Sequence, residues 1–265
     1  MSVLERLSQI GGLSDLHWQR KDTDMSSILV TGGTGHLGRP TVSHLRAAGH
    51  GVRVLSRKQG PDRAVADLTT GVGLQTAFDG VDVVVHLATS LGHGDVQQAR
   101  NLVEAAAGIR HLVVMSIAGI DRIPLSYYKT KLAVEQIVGE SHVPYTIQRA
   151  TQFHDLIDRV FSAQRYSPVL FAPTMSLQPI AVEDVASRLT ELVGQVPLKG
   201  HAPDIGGPER RTVHDLARIW KQAKGSRRPI VPVRLGGKVF RAFANGEAMV
   251  DGPTYGRITF AEYFG

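Results

Sequence analysis

Three glycines, Gly32, Gly35 and Gly38, recur at every third position directly after a short apolar run, Ile28-Leu29-Val30. Such spacing suits a turn in which backbone, not side chains, meets a ligand. The first glycine permits a turn that a side chain would block. The second lets the backbone approach a pyrophosphate, and the third lets the following helix pack closely on the strand. Thr34, His36 and Leu37 complete the turn. Beyond it Leu37, Val42 and Leu45 fall on one side of a helical segment. The N-terminus of that helix offers free N–H groups and a positive dipole end to phosphate. A second strand then closes on Ser56-Arg57-Lys58, which supplies two cations and no acid. An acid at this place accepts from a ribose 2′-hydroxyl, whereas cations attract a 2′-phosphate. The implied cofactor is NADP(H), with Arg57 as the main contact and Ser56 and Lys58 assisting.

These residues need elements to hold them. Strand patterns read at 27–32, 51–56, 64–66, 81–87, 111–116 and 145–149, with helical patterns near 37–48, 71–78, 95–107 and 126–139. This alternation predicts an α/β fold: a Rossmann-type doubly wound parallel sheet with helices on both faces. Ligands of such sheets sit beyond the C-terminal strand ends. Asp67-Leu68 closes the third strand, where Asp67 meets an adenine amino group or caps the next helix. After about residue 150 the pattern loosens. Strand-like pieces at 168–172 and 178–180 mix with helices near 153–163, 182–194 and 212–223. The expected division is an N-terminal extension at 1–26, a dinucleotide-binding domain at 27–151, and a smaller substrate lobe at 152–265 interleaved with the sheet. Within the extension, residues 3–10 read as a short amphipathic turn.

The 265 residues suit one large α/β domain with an appendage. The net charge of +6 is scattered in pairs such as Arg210-Arg211 and Arg227-Arg228, so no nucleic-acid partner is expected. Without cysteine the chain has no disulfide, thiolate nucleophile or cysteine-bound zinc. Its 11 histidines show no metal-ligand spacing. No Gly-Lys-Ser/Thr ends the glycine turn, and no Gly-x-Ser-x-Gly elbow occurs. No run is long enough to span a membrane and no secretory h-region opens the chain, so the expectation is a soluble cytoplasmic protein.

The Thr31-Gly32-Gly33-Thr34-Gly35-His36-Leu37-Gly38 turn is similar to that of extended and atypical short-chain dehydrogenase/reductases. More narrowly, the chain resembles the NmrA-like NAD(P)-binding group through Leu55-Ser56-Arg57, Val113-Val114-Met115-Ser116, Tyr127-Tyr128-Lys129-Thr130-Lys131 and Pro144 to Arg149. Gln178 to Ala186 and Ile205 to Glu209 extend the resemblance. It implies that Ser116, Tyr127 and Lys131 work together. Lys131 holds the nicotinamide ribose and lowers the Tyr127 pKa, Tyr127 donates a proton to a carbonyl oxygen, and Ser116 orients that oxygen. Tyr128 also shares a face with Lys131, so spacing admits either tyrosine. Leu87, Ala88 and Thr89 line the cofactor by backbone in this reading, and Gln152, Phe153 and His154 face the substrate. The implied function is an NADP(H)-dependent oxidoreductase acting on a small carbonyl, quinone or enone. The alternative is a non-catalytic NADP(H) sensor that reports to a protein partner.

Overall fold

The inner strands are apolar at successive positions because helices cover both faces of the sheet. The computed structural model describes residues 25–90, 92 and 94–265. Strands β1 (Ser27–Thr31), β2 (Gly51–Ser56), β3 (Arg63–Val65), β4 (Val83–His86), β5 (His111–Ile117), β6 (Tyr145–Ala150) and β9 (Gly200–His201) form one sheet. All pair in parallel, in the order β3-β2-β1-β4-β5-β6-β9. The chain runs outward from β1 to β3 and then returns beside β1 as β4. That reversal opens a crevice above the C-terminal ends of β1 and β4.

The two-residue period of a strand divides the core. Ile28 and Val30 enter one apolar cluster with Val42 and Leu45 of α1 (Gly38–Ala47) and Val185 and Leu189 of α6 (Val182–Val193). Leu29 enters the opposite cluster with Phe78 of α2 (Leu74–Phe78), Leu102 of α3 (Gly94–Ala105) and Val138 of α4 (Ser126–Glu140). Each such fully buried aliphatic side chain contributes about 1.5–3 kcal/mol.

A third cluster joins Phe161 of α5 (His154–Ser162), Leu170 of β7 (Leu170–Pro173), Leu177 of β8 (Ser176–Leu177), Trp220 of α7 (Val213–Ala223) and Phe260. Here β10 (Arg211–Thr212) pairs antiparallel with β8, and β11 (Ile230–Val233) pairs parallel with β7. Helix α8 (Lys238–Ala244) follows, and its Ala242 packs with Ile120, Ile123 and Tyr128. Asp184 accepts from the Arg257 and Ile258 amides at 2.8 and 3.1 Å, which pins the C-terminal segment to α6.

The strand alternation is as expected, with local differences. Pattern reading missed β9, which has two residues and no apolar run. The strand expected at 178–180 pairs instead at Ser176–Leu177, and Ile180 forms only an isolated bridge with Phe153. The helix expected from 71 starts at Leu74, because Gly71 and Gly73 have φ of 79° and 78°, outside helical space. The amphipathic turn expected over residues 3–10 lies outside the described residues.

Candidate functional site

A cleft of about 1510 Å³ lies over the C-terminal ends of β1, β2, β4, β5 and β6. Its floor is the glycine turn. Gly32 has φ of 69°, and a Cβ there would stand 2.7 Å from the Ala88 nitrogen. A Cβ on Gly38 would stand 2.1 Å from the Gly32 carbonyl oxygen, which is a backbone collision. Gly35 meets only that same carbonyl, at 3.1 Å. The turn therefore has room for backbone alone. Thr34, His36 and Leu37 line the cleft beside it. No side chain caps the N-terminus of α1 and its first turn carries no acid. The Arg39 and Thr41 amides donate to the Gly35 and Leu37 carbonyls at 3.1 and 3.2 Å and Pro40 has no N–H, so of that turn the Gly38 amide is the one left for an anion.

Ser56, Arg57 and Lys58 line the cleft beyond β2, and Leu68 lines it beyond β3. Asp67 lines it too, but one carboxylate oxygen accepts from the Thr69 amide at 2.7 Å and closes a local turn. It does not cap α2, whose N-cap is Gly73. Leu87, Ala88 and Thr89 complete the near wall. The Leu87 and Ala88 amides both donate to Thr31 Oγ1 at 3.3 Å.

At the other end stand Ser116, Tyr127, Tyr128, Lys131, Gln152 and Phe153. Ser116 Oγ and Gln152 Oε1 are buried with no hydrogen-bond partner among the described residues. Leaving such an atom unsatisfied costs about 1–3 kcal/mol, so both atoms fit a ligand's polar groups. Tyr128 is 6% exposed and packs with Ile120, Ile123 and Ala248. Tyr127 is less buried, and its hydroxyl lies 3.2 Å from Thr89 Oγ1. Thr89 donates its own proton to Asp95 at 2.7 Å, so Tyr127 is the donor of the pair.

Two of the expectations are corrected here. His154 does not line the cleft. It is 1% exposed, its Nε2 lies 3.0 Å from the Ile258 carbonyl, and its ring packs against Phe260 and Tyr263. The first residue of a helix can point to either side of a crevice, and here the C-terminal segment claims it. Nor does Lys131 depress Tyr127. Burial first, and then the Asp95 charge, push the Tyr127 phenol up. The phenol thus stays protonated in the free protein.

Lys131 is 6% exposed. Burial pulls its ammonium below the ordinary value, countered by Asp95 and Glu135. Glu135, one helical turn along α4, accepts from Arg149 Nε at 2.9 Å and from Nη2 at 2.6 Å. It also lies 3.0 Å from His201 Nε2. Burial alone would push the Glu135 carboxyl up, but the hydrogen bonds with Arg149 and His201, with the Ser116 hydroxyl adding to them, outweigh it and hold the carboxyl down. Asp95 likewise is held down, because hydrogen bonds from Ser90 and Thr89 overcome its burial. Sequence reasoning missed Asp95 and Glu135. The spacing of Glu135 four after Lys131 was the available signal.

Behind this end His86 is 2% exposed, and its Nδ1 lies 2.8 Å from Thr31 Oγ1. Thr31 accepts two amides, so its hydroxyl donates to that nitrogen and the imidazole proton sits on Nε2. Burial, reinforced by Lys131, lowers the His86 pKa from 6.5 to about 3. The unfolded chain therefore takes up a proton below pH 6.5 that the native state refuses until about pH 3. Stability is expected to fall as pH drops through that window, by at most about 1.4 kcal/mol per pH unit for this group. Urea midpoints at pH 7 and pH 5 check it. His86→Asn, which keeps an acceptor for Thr31 but does not titrate, should lose less; an unchanged slope refutes the assignment.

Comparison with known proteins agrees with this geometry. The family described as NAD(P)H-binding matches residues 32–195. The chain is 30% identical to the (4-alkanoyl-5-oxo-2,5-dihydrofuran-3-yl)methyl phosphate reductase of Streptomyces griseus, over 71% of this chain and 70% of that protein. It is 24% identical to the photosystem II assembly factor Ycf39 of Trieres chinensis, over 89% and 81% of the two chains. An NADPH-dependent quinone oxidoreductase from Escherichia coli, solved with NADPH, superposes with a TM-score of 0.78 at 18% identity, covering 89% of this chain and 98% of that one. The glycine turn, the sheet order and these matches agree: the chain belongs to the NAD(P)H-binding family, among the atypical, NmrA-like short-chain dehydrogenase/reductases.

Proposed function

We propose that this protein is an NADP(H)-dependent oxidoreductase acting on a small carbonyl, quinone or enone. One observation carries the reading: a single cleft has cations without carboxylate partners at one end and Ser116, Tyr127 and Lys131 at the other. Gly32, Gly35, Gly38 and the N-terminus of α1 hold the pyrophosphate. Arg57 holds the 2′-phosphate with Ser56 and Lys58, and Lys131 holds the nicotinamide ribose. When bound, the nicotinamide supplies or accepts the hydride.

The residues of the chain then manage the substrate oxygen. Ser116 Oγ has no hydrogen-bond partner among the described residues and donates to that oxygen. Tyr127 delivers the proton, turning its hydroxyl from Thr89 towards the substrate. A phenol with a pKa raised from 10 is protonated at neutral pH and carries the proton to be donated. Leu125, Phe153, Leu156 and Phe243 give this end apolar walls. Arg159 also lines this end, and its guanidinium is paired with Asp155. Among the described residues lining this end the remaining cation is Lys131, which the ribose takes in this reading, so none is left for the diphosphate of a sugar nucleotide. The residues that serve the substrate come partly from the region after 151, which we assign as a substrate lobe.

A sensor would leave Tyr127 turned away from an apolar, filled pocket, whereas here Tyr127 lines an open cleft. The test is NADPH oxidation by the purified protein across quinones, enones and aldehydes. Saturable turnover is the expected result. Tight NADPH binding with no turnover on any acceptor would replace this reading with the sensor.

A further inference from the structure

We infer that Arg63, the first residue of β3, is a second guanidinium of the 2′-phosphate site and helps determine the choice of NADP(H) over NAD(H). The inference rests on the cofactor reading above.

Arg63 pairs in register with Val54 of β2, and the next pair, Leu55 and Ala64, lies in the opposite core cluster. By strand alternation Arg63 shares the Val54 face of the sheet. Val54 is the residue that meets the glycine turn, since a Cβ on Gly33 would stand 2.9 Å from its Cγ1. Arg63 thus lies on the glycine-turn side, and it lines the cleft with Arg57 and Lys58.

Its side chain does not extend away from the sheet edge. A Cβ on Gly60 would stand 2.9 Å from both Cδ and Nε of Arg63, so the stem folds back over the Gly60 backbone towards the Arg57–Lys58 loop. The nearby acids are engaged elsewhere. Asp62 pairs with Arg46 of α1 at 3.0 Å, and Asp67 closes its own turn. Among the described residues none of Arg57, Lys58 and Arg63 forms an ion pair. Three cations without ion pairs thus line the cleft beside the end of the second strand. A dianionic 2′-phosphate matches that charge, and two guanidinium groups provide planar, multiple donors to it.

The experiment is titration of the full chain with NADPH and with NADH, at one fixed salt concentration. Arg63→Ala should weaken NADPH by about tenfold or more and change NADH by less than about twofold. Arg57→Ala is run in parallel. Gly60→Ala should lower the NADPH/NADH ratio in the same direction, because its methyl takes the space of the Arg63 stem while the backbone is free to keep its course. A wild-type preference for NADPH that survives Arg63→Ala within about twofold overturns the assignment of Arg63 alone. So does an equal loss of both dinucleotides, which would mark structural damage. Wild-type protein that binds NADH as tightly as NADPH, or binds neither, overturns the cofactor reading and the inference with it.

Discussion

Replacing Tyr127 by phenylalanine is expected to reduce turnover by about two to four orders of magnitude, the usual span for losing a general acid. NADPH affinity should stay within about twofold, because the change removes one half-buried hydroxyl and no charge. The residue is already singled out by geometry: Tyr128 is committed to the core with Ile120 and Ala248, while the Tyr127 hydroxyl donates to Thr89 at the cleft wall. Steady-state kinetics with the best acceptor, alongside an NADPH titration, separate the two effects. An unchanged kcat would remove Tyr127 from the mechanism. Loss of NADPH binding instead would make it a cofactor contact. Tyr128→Phe is the matched comparison, and it should leave turnover nearly intact.

The second large effect is on stability. Glu135→Ala should destabilise the fold by about 3–5 kcal/mol, the cost of removing one partner from a buried ion pair. The Arg149 side chain is 12% exposed and that of Glu135 is 5% exposed, so the orphaned guanidinium would remain buried. Asp121, at 3.6 Å from Arg149 Nη1, offers only partial compensation. Urea unfolding measures the loss. The double variant Glu135→Ala with Arg149→Met should recover much of it, because no buried charge is then left unpaired. If the double variant is as unstable as the two single variants added together, the pair is not the cause. The pH dependence has a fixed sign. The Glu135 carboxyl is held below its ordinary 4.5, so its stabilisation is complete above that value and is lost as pH falls through the lower native one. Because Glu135 is one turn from Lys131 on α4, the same variant should also disturb the candidate ribose contact.

Much of this molecule is legible from residue order. The glycine spacing, the apolar runs of β1, β4 and β5, and the cations after β2 depend on local chemistry: turn sterics, two-sided burial and charge type. Those are short-range properties that the chain carries with it. For the same reason nearly every residue singled out by motif lines one cleft, since the ends of parallel strands converge wherever the sheet reverses.

What the order of residues did not contain was direction and long-range partnership. It left Tyr127 and Tyr128 equivalent, whereas the structure buries Tyr128 in the cluster with Ala242, Ile120 and Ile123 and leaves Tyr127 only partly buried against it. It placed His154 at the substrate, whereas the C-terminal segment, pinned by Asp184, draws that ring away. It expected Lys131 to lower the Tyr127 pKa, but burial and Asp95 act the other way. It also did not reveal that Arg63 folds over Gly60, or that Glu135 meets Arg149 and His201 across three elements. The sequence alone thus determined the alternating fold and the kind of ligand, because both follow from local periodicity and residue type. The tertiary structure alone decided which side chains line that cleft and which way their pKa values shift, because burial and distant contacts set orientation and pKa.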